Sequence, residues 1–309
     1  MSGLPRAIAV ANQFDRQALR AYKAAVKTYA RLPWVTGVGI GIKETRGQLN
    51  ASAGPVIVFY VTKKLKRVPK QKRIPREILG VPTDVVQGNF VSNAPPPPPP
   101  TVPRPQPPSL PLRPGASVAR SNGSAASVGG IAQDAAGVRY MLTAEHVFIE
   151  KENLAAGSPM VHPGPLDILT QAVVVARYHR KHKTMDAGIA KIDAGVASNN
   201  NALLSNVTIL PPTAALAAGT LEKSGRTTDI TQGVVRMIGQ FGLSATVIFI
   251  KPPDNFTGTI ADHGDSGAIW YDADTFEAVG LHRGSDPTSG DAVATPVGNI
   301  LSHFKLTWV

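Results

Sequence analysis

Proline restricts this chain more than any other residue. Pro95–Pro100 is unbroken, and further prolines stand at 103, 105, 107, 108, 111 and 114. Proline fixes φ and carries no backbone N–H, so Ala94–Pro114 is expected to stay out of any sheet as an extended polyproline II spacer. At about 3.1 Å per residue, roughly twenty such residues would hold two folded regions about 60 Å apart. Docking on a proline-reading partner is the other use for such a stretch. The sequence therefore divides into 1–93, a linker over 94–114, and 115–309.

The two flanks differ in charge. Residues 1–93 hold sixteen Lys and Arg against four Asp and Glu, whereas 94–309 holds sixteen against seventeen. Any attraction for nucleic acid or another acidic partner therefore belongs to the N-terminal part. Asp15–Arg31 has helical spacing, with Ala18, Tyr22, Ala25, Val26 and Tyr29 on one face. Arg16, Arg20, Lys23, Lys27 and Arg31 form a second stripe, which reads as a phosphate contact or as the solvated side of an amphipathic helix. In Val38–Ile42 the apolar residues alternate with glycine, leaving a bare face for close approach by another layer, such as the preceding helix. Val56–Val61 is a continuous apolar strand, Lys63–Arg76 carries eight cations and no acid, and Thr83–Val86 is a shorter strand. Together these describe a small basic α+β domain.

From Gly115 onward the texture is short strands between turn residues: Val128–Ala132, Tyr140–Thr143, Gln171–Arg177, Ala187–Ile192, Val234–Ile238, Ala245–Ile250, Gly267–Tyr271 and Glu277–Leu281. Val297–Phe304 is the one helix candidate. This is the profile of a mainly β barrel or sandwich. Cysteine is absent, which removes disulfides, thiol nucleophiles and thiolate metal sites. The first twelve residues are too short in apolar sequence for a secretory signal, and no run approaches a membrane span, so a cytoplasmic protein is expected.

Gly264-Asp265-Ser266-Gly267 sets a hydroxyl between glycines at the head of an apolar run. That pattern exposes a nucleophile and leaves neighbouring N–H groups to hold an oxyanion. A turn before a strand has the same composition. The upstream residues separate the two. Tyr140-Met141-Leu142-Thr143-Ala144-Glu145-His146 runs a strand into a histidine, and Met185-Asp186-Ala187-Gly188-Ile189 places an aspartate at the head of another. The order is His, Asp, Ser, with Asp167 and Asp193 as competitors for the acid. An α/β-hydrolase needs Ser, acid, His and Gly-x-Ser-x-Gly, whereas Ala268 occupies the fifth place and only 43 residues follow Ser266. His179-Arg180-Lys181-His182 has no third metal ligand nearby and reads as a solvated loop. No metal or cofactor is expected.

These motifs resemble those of trypsin-like (chymotrypsin-fold) serine peptidases. Leu142–His146 is similar to the family's Leu-Thr-Ala-Ala-His, Asp186–Ala190 to its Asp-Ile-Ala-Leu, and Gly264–Gly267 to its Gly-Asp-Ser-Gly. Gly225-Arg226-Thr227-Thr228 resembles bacterial members without disulfides. The resemblance implies a double β-barrel preceded by a small α+β domain. It implies a serine endopeptidase working through an acyl-enzyme on protein or peptide substrates. Ser266 would be nucleophile, His146 base, Asp186 its orienting acid, and the N–H groups of Gly264 and Ser266 the oxyanion hole. It also places Ile260 at the base of the substrate pocket and His282, Arg283 and Gly284 in its wall. Secreted members pair the Asp before the serine with a freed N-terminus. Val128-Gly129-Gly130 lies too close to His146 to supply one, so Asp265 needs another partner. The N-terminal extension is a candidate for ordering the site, or for covering the cleft and restraining it.

Overall fold

A computed structural model describes residues 14–309 apart from 89, 93–105, 124, 150–153, 169, 216, 242–244, 255 and 287. The proline run Pro95–Pro100 and the first twelve residues lie outside the described residues. Among the described residues no helix is long and apolar enough to cross a membrane.

The N-terminal part begins with α1 (Arg16–Tyr29), capped by the Asp15 carboxylate, which accepts from the Ala18 N–H at 2.7 Å. Strands β1 (Val35–Thr45), β2 (Gln48–Val61), β3 (Glu77–Ile78), β4 (Val81–Gln87) and β5 (Val91–Ser92) follow. β1 and β2 form an antiparallel hairpin, and β4 runs parallel to β2. Ala18, Ala21 and Ala25 of α1 pack on Val38, Ile40, Ile57 and Phe59. Small residues on the helix let it lie close to the sheet. Arg16, Arg20, Lys23, Lys27 and Arg31 are all exposed, on the side of α1 away from this core.

The bare face of β1 serves a different neighbour from the one expected. β1 pairs antiparallel with β14 (Asp229–Phe241), a strand of the C-terminal half, with Gly39 opposite Gly239. A Cβ on Gly39 would lie 2.7 Å from Ile238 O and one on Gly239 would lie 2.2 Å from Val38 O, so these glycines allow the two strands to meet. The N-terminal sheet thus continues into the C-terminal half. The expected separation by a spacer is corrected: the two parts are held in one sheet, whatever path the prolines take. A buried polar cluster reinforces the junction. Arg236 of β14 pairs with Glu44 of β1 and, at 3.1 Å, with Asp291, which also accepts from Tyr60 Oη at 2.6 Å.

The last residues of the proline-rich stretch also join the fold. Gln106 and Leu112 make parallel bridges to Ile168 and Ser198, using N–H groups that the flanking prolines lack. Leu112 is buried in the core of the next sheet.

That sheet contains β6 (Ser117–Arg120), β7 (Ala126–Ser127), β8 (Gly130–Gln133), β9 (Arg139–Thr143), β10 (Pro159–His162), β11 (Val173–His182) and β12 (Ala187–Ile192). The second half contains β13 (Thr220–Gly225), β14, β15 (Thr246–Lys251), β16 (Ile269–Asp272), β17 (Ala278–Ser285) and β18 (Ala292–Pro296). α2 (Val297–Phe304) and β19 (Thr307–Trp308) end the chain, and β19 returns to β8. The first sheet is an open ribbon in the order β19-β8-β9-β12-β11-β10-β6-β7. In the second, β13-β16-β17-β18-β15-β14 closes through a β13–β14 pairing into a six-stranded barrel. Leu142 and Ile189 from the first half, Tyr271 and Leu281 from the second, and Ile300 and Phe304 of α2 share one core. The architecture is a mainly β, chymotrypsin-type double barrel.

His179–His182 is corrected from loop to strand: it ends β11, with Arg180 opposite Ile189 and His182 opposite Ala187. Arg180 lies over the Phe304 ring and Lys181 pairs with Glu145, so polar residues on both sides of the strand hid it from a hydropathy reading. Among the described residues no group of three or more His, Cys, Asp or Glu is placed to hold a metal ion.

Candidate active site

β9 ends at Thr143, and one tight turn of helix, Glu145–Phe148, carries His146. Asp186 sits in the turn entering β12, with φ of 47° and its N–H donating to Lys183 O. Aspartate adopts this left-handed conformation more readily than most residues. Ser266 comes from the loop before β16. The three side chains meet at the junction of the halves. His146 Nδ1 lies 3.0 Å from each Asp186 oxygen, and the His146 backbone N–H donates to Oδ1 at 3.1 Å. Ser266 Oγ is 2.7 Å from His146 Nε2. An ionised carboxylate only accepts, so Nδ1 carries the proton and Nε2 accepts from the serine hydroxyl. The competing acids lie elsewhere: Asp193 pairs with Arg177, and Asp167 with Arg226.

Burial opposes charge on His146. The Asp186 carboxylate, by its field and its hydrogen bond, outweighs this, and the His146 pKa is raised above its ordinary value. Burial likewise opposes Asp186 ionisation, but the His146 charge and hydrogen bonds, with Arg283, hold its pKa below the usual carboxylate value.

The nucleophile loop is built around Asp265, which is fully buried. Its carboxylate accepts five hydrogen bonds: from Lys223 Nζ (3.1 Å), Thr228 Oγ1 (2.6 Å) and the N–H groups of Thr227 (2.8 Å), Thr228 (3.1 Å) and Asp262 (3.0 Å). Burial would raise its pKa, but Lys223 and these donors lower it. Lys223, equally buried on β13, is the partner that Asp265 needed. The Asp265 N–H donates to Asp262 O, whereas among the described residues no acceptor takes the N–H of Gly264 or Ser266. Gly264 has φ of 98° and Gly267 of 89°, a path that side chains resist.

Sequence reasoning missed two supports. Ser127 of β7 donates its N–H to Ser266 O at 3.0 Å and its hydroxyl to Gly264 O at 3.0 Å, and accepts from the Arg226 N–H at 2.9 Å. Arg226 Nε donates to Asp167 Oδ2 at 2.6 Å, forming a fully buried ion pair between the halves. Arg226 and Thr227 fall within the Gly225–Thr228 stretch singled out in the sequence. Lys223 and Ser127 carried no local signal.

The expected pocket residues are only partly where they were placed. Ile260 is sealed in the core of the second barrel with Leu221, Ile250 and Trp270, so it is corrected from pocket base to barrel core. The His282 ring is also fully buried, receiving Trp270 Nε1–H at 3.4 Å. Burial and the Lys223 charge push its pKa down to about 3, so the buried ring is neutral. Its backbone, however, pairs with the nucleophile loop through Gly267 and Ala268. Arg283 places Nε 3.9 Å from Asp186 Oδ2, and Gly284 pairs with β5.

Solved structures similar to the chain include three that are described as proteases. A glutamic acid specific serine protease, described as using a histidine triad in substrate binding, is 23% identical, with a TM-score of 0.50 over 64% of this chain and 100% of its own. A Nocardiopsis protease is 18% identical, with a TM-score of 0.48 over 64% of this chain and 99% of its own. Thermobifida fusca protease A gives 18% and 0.48, over 65% of this chain and 99% of its own. The first likeness agrees with the double-barrel fold. No protein-family model matches the chain, and no curated protein matches it.

Proposed function

We propose that the chain is a serine endopeptidase in which Ser266 attacks the scissile carbonyl of a protein or peptide. The observation that carries this reading is the continuous Asp186–His146–Ser266 hydrogen-bonded line, with its 2.7 Å His146–Ser266 contact. His146 Nε2 takes the serine proton as the C–O bond forms, while Asp186 keeps the imidazole in the accepting tautomer and stabilises the imidazolium. The carbonyl oxygen becomes an oxyanion held by the N–H groups of Gly264 and Ser266. Each such donor is worth about 2.7–4 kcal/mol of transition-state stabilisation. His146 returns the proton to the leaving amine, an acyl-Ser266 remains, and water activated by His146 releases it.

The Lys223–Asp265 pair fits the same reading. It holds the loop between Asp262 and Ser266 with a side chain already in the polypeptide, so no cleavage is required to supply a cation. A fluorophosphonate probe tests the proposal. Wild type is expected to be labelled and Ser266→Ala is not. Absence of labelling in both overturns it.

A further inference from the structure

β17 is paired with β18 from Gly280 to Ser285. On its other side β16 covers it only from Ala278 to Leu281. Beyond that point the same edge meets the nucleophile loop: the His282 N–H donates to Ala268 O at 2.8 Å, and Gly267 N–H donates to His282 O at 2.9 Å. Next along the edge, Gly284 and Ser285 pair antiparallel with Ser92 and Val91. The strand beside the candidate nucleophile is thus extended by a segment from the N-terminal part.

This segment is delivered there by firm contacts. Gly88 N–H donates to Val61 O at 3.0 Å, and the Gly88 carbonyl accepts from Thr36 Oγ1 at 2.9 Å. The Phe90 ring is buried, with centroids 4.9 Å from Tyr60 and 4.8 Å from Phe249. Val91 faces Ser285 and Ser92 faces Gly284, so β5 runs towards Arg283, the residue beside Asp186.

An extended peptide binds a sheet edge by backbone hydrogen bonds, and a strand next to a nucleophile is where it would present a bond for attack. We infer that Val91–Ser92 occupies in cis the edge of β17 on which a peptide substrate adds its strand, and so acts as an intramolecular competitor. The inference rests on the peptidase reading for the identity of the ligand. A tethered strand competes at high effective concentration. Among the described residues its contact with β17 is made by Val91 and Ser92, and a longer peptide can displace it. Peptide affinity falls by the fraction of molecules in which the edge is free.

The test uses the full chain carrying Ser266→Ala, with a fluorescent peptide copying residues 86–94 as probe. Adding Val91→Pro and Ser92→Pro removes both N–H groups of β5. Fluorescence polarisation is expected to show at least about fivefold tighter peptide binding than in the Ser266→Ala parent. Equal or weaker affinity overturns the inference. A second measurement keeps β5 intact: saturating peptide should speed hydrogen exchange at the slower of the Val91 and Ser92 amides, and unchanged exchange also overturns it. Fluorophosphonate labelling of the otherwise wild-type chain reads the chemistry separately. Labelling without a gain in peptide affinity refutes the competitor and leaves the peptidase. A gain in affinity without labelling supports the competitor and refutes the peptidase.

Discussion

The two halves that meet at the candidate site hold their reactive groups by different means. The first, an open sheet, fixes His146 and Asp186 through one another: two ring contacts and one backbone N–H converge on a single carboxylate. The second, a closed barrel, fixes Ser266 indirectly, through the ion pair of Lys223 and Asp265 sealed beneath the loop. The first arrangement orients a proton; the second maintains a backbone shape. Damage to one should therefore appear chiefly in rate, and damage to the other in rate and stability together.

The largest effect is expected from Asp186→Asn. Loss of the accepting carboxylate favours the wrong imidazole tautomer, and kcat should fall about ten-thousandfold. Denaturant midpoints should move little by comparison, which urea titration alongside steady-state hydrolysis would show. Lys223→Met should do the reverse in emphasis. It leaves Asp265 charged and unpaired in the interior, at a cost of about 3–5 kcal/mol in folding stability. Fluorophosphonate labelling should slow in the fraction that remains folded. An unaltered midpoint would erase the contrast between the halves.

Ser127→Ala tests the link between them. It deletes the hydroxyl that accepts from the buried Arg226 N–H and donates to the part-buried Gly264 O. A loss of about 1–3 kcal/mol is expected by chemical denaturation, with a slower acylation rate.

Acidity gives the smallest and most discriminating change. His146 must be neutral to act as base, and its pKa is raised, so the acid limb of kcat/KM should lie above the free histidine value of about 6.5. Arg283 lowers that pKa, so Arg283→Gln should move the limb to higher pH. Asp265 behaves oppositely with respect to folding. Its native pKa is depressed, so its contribution to stability is complete above the unfolded value of about 3.9 and is lost as pH falls through the native one. A pH series of urea melts, compared with the rate profile, would separate the two.

Short-range signals account for what the sequence disclosed. His146, Asp186 and Ser266 each follow or precede a strand with a distinctive neighbour set, so their order was readable without contacts. The helical spacing from Asp15 and the basic stripe from Arg16 to Arg31 are equally local. What escaped reading depends on distant partners. The alternating glycines of β1 announced a close approach, but only the pairing of Gly39 with Gly239 shows that a strand two hundred residues later makes it. Lys223 carries no local signal, and only the closed barrel brings its buried ammonium to Asp265. Ile260 was placed by counting back from Ser266, and the count does not report that this residue turns into the barrel. The prolines mark a break, whereas the N–H groups of Gln106 and Leu112 between them bridge to distant residues that no local pattern names.

The pairing of β1 with β14 has a practical consequence. A fragment beginning near Gly115 would retain every residue of the candidate triad. It would also strip β14 of its neighbour along Met237–Phe241, presenting a row of unmatched N–H and C=O groups beside apolar Met237 and Phe249. Bare edges of this kind recruit strands from other molecules. A fragment trimmed in this way is therefore expected to self-associate, and light scattering on it would report oligomers where the full chain gives none through this edge.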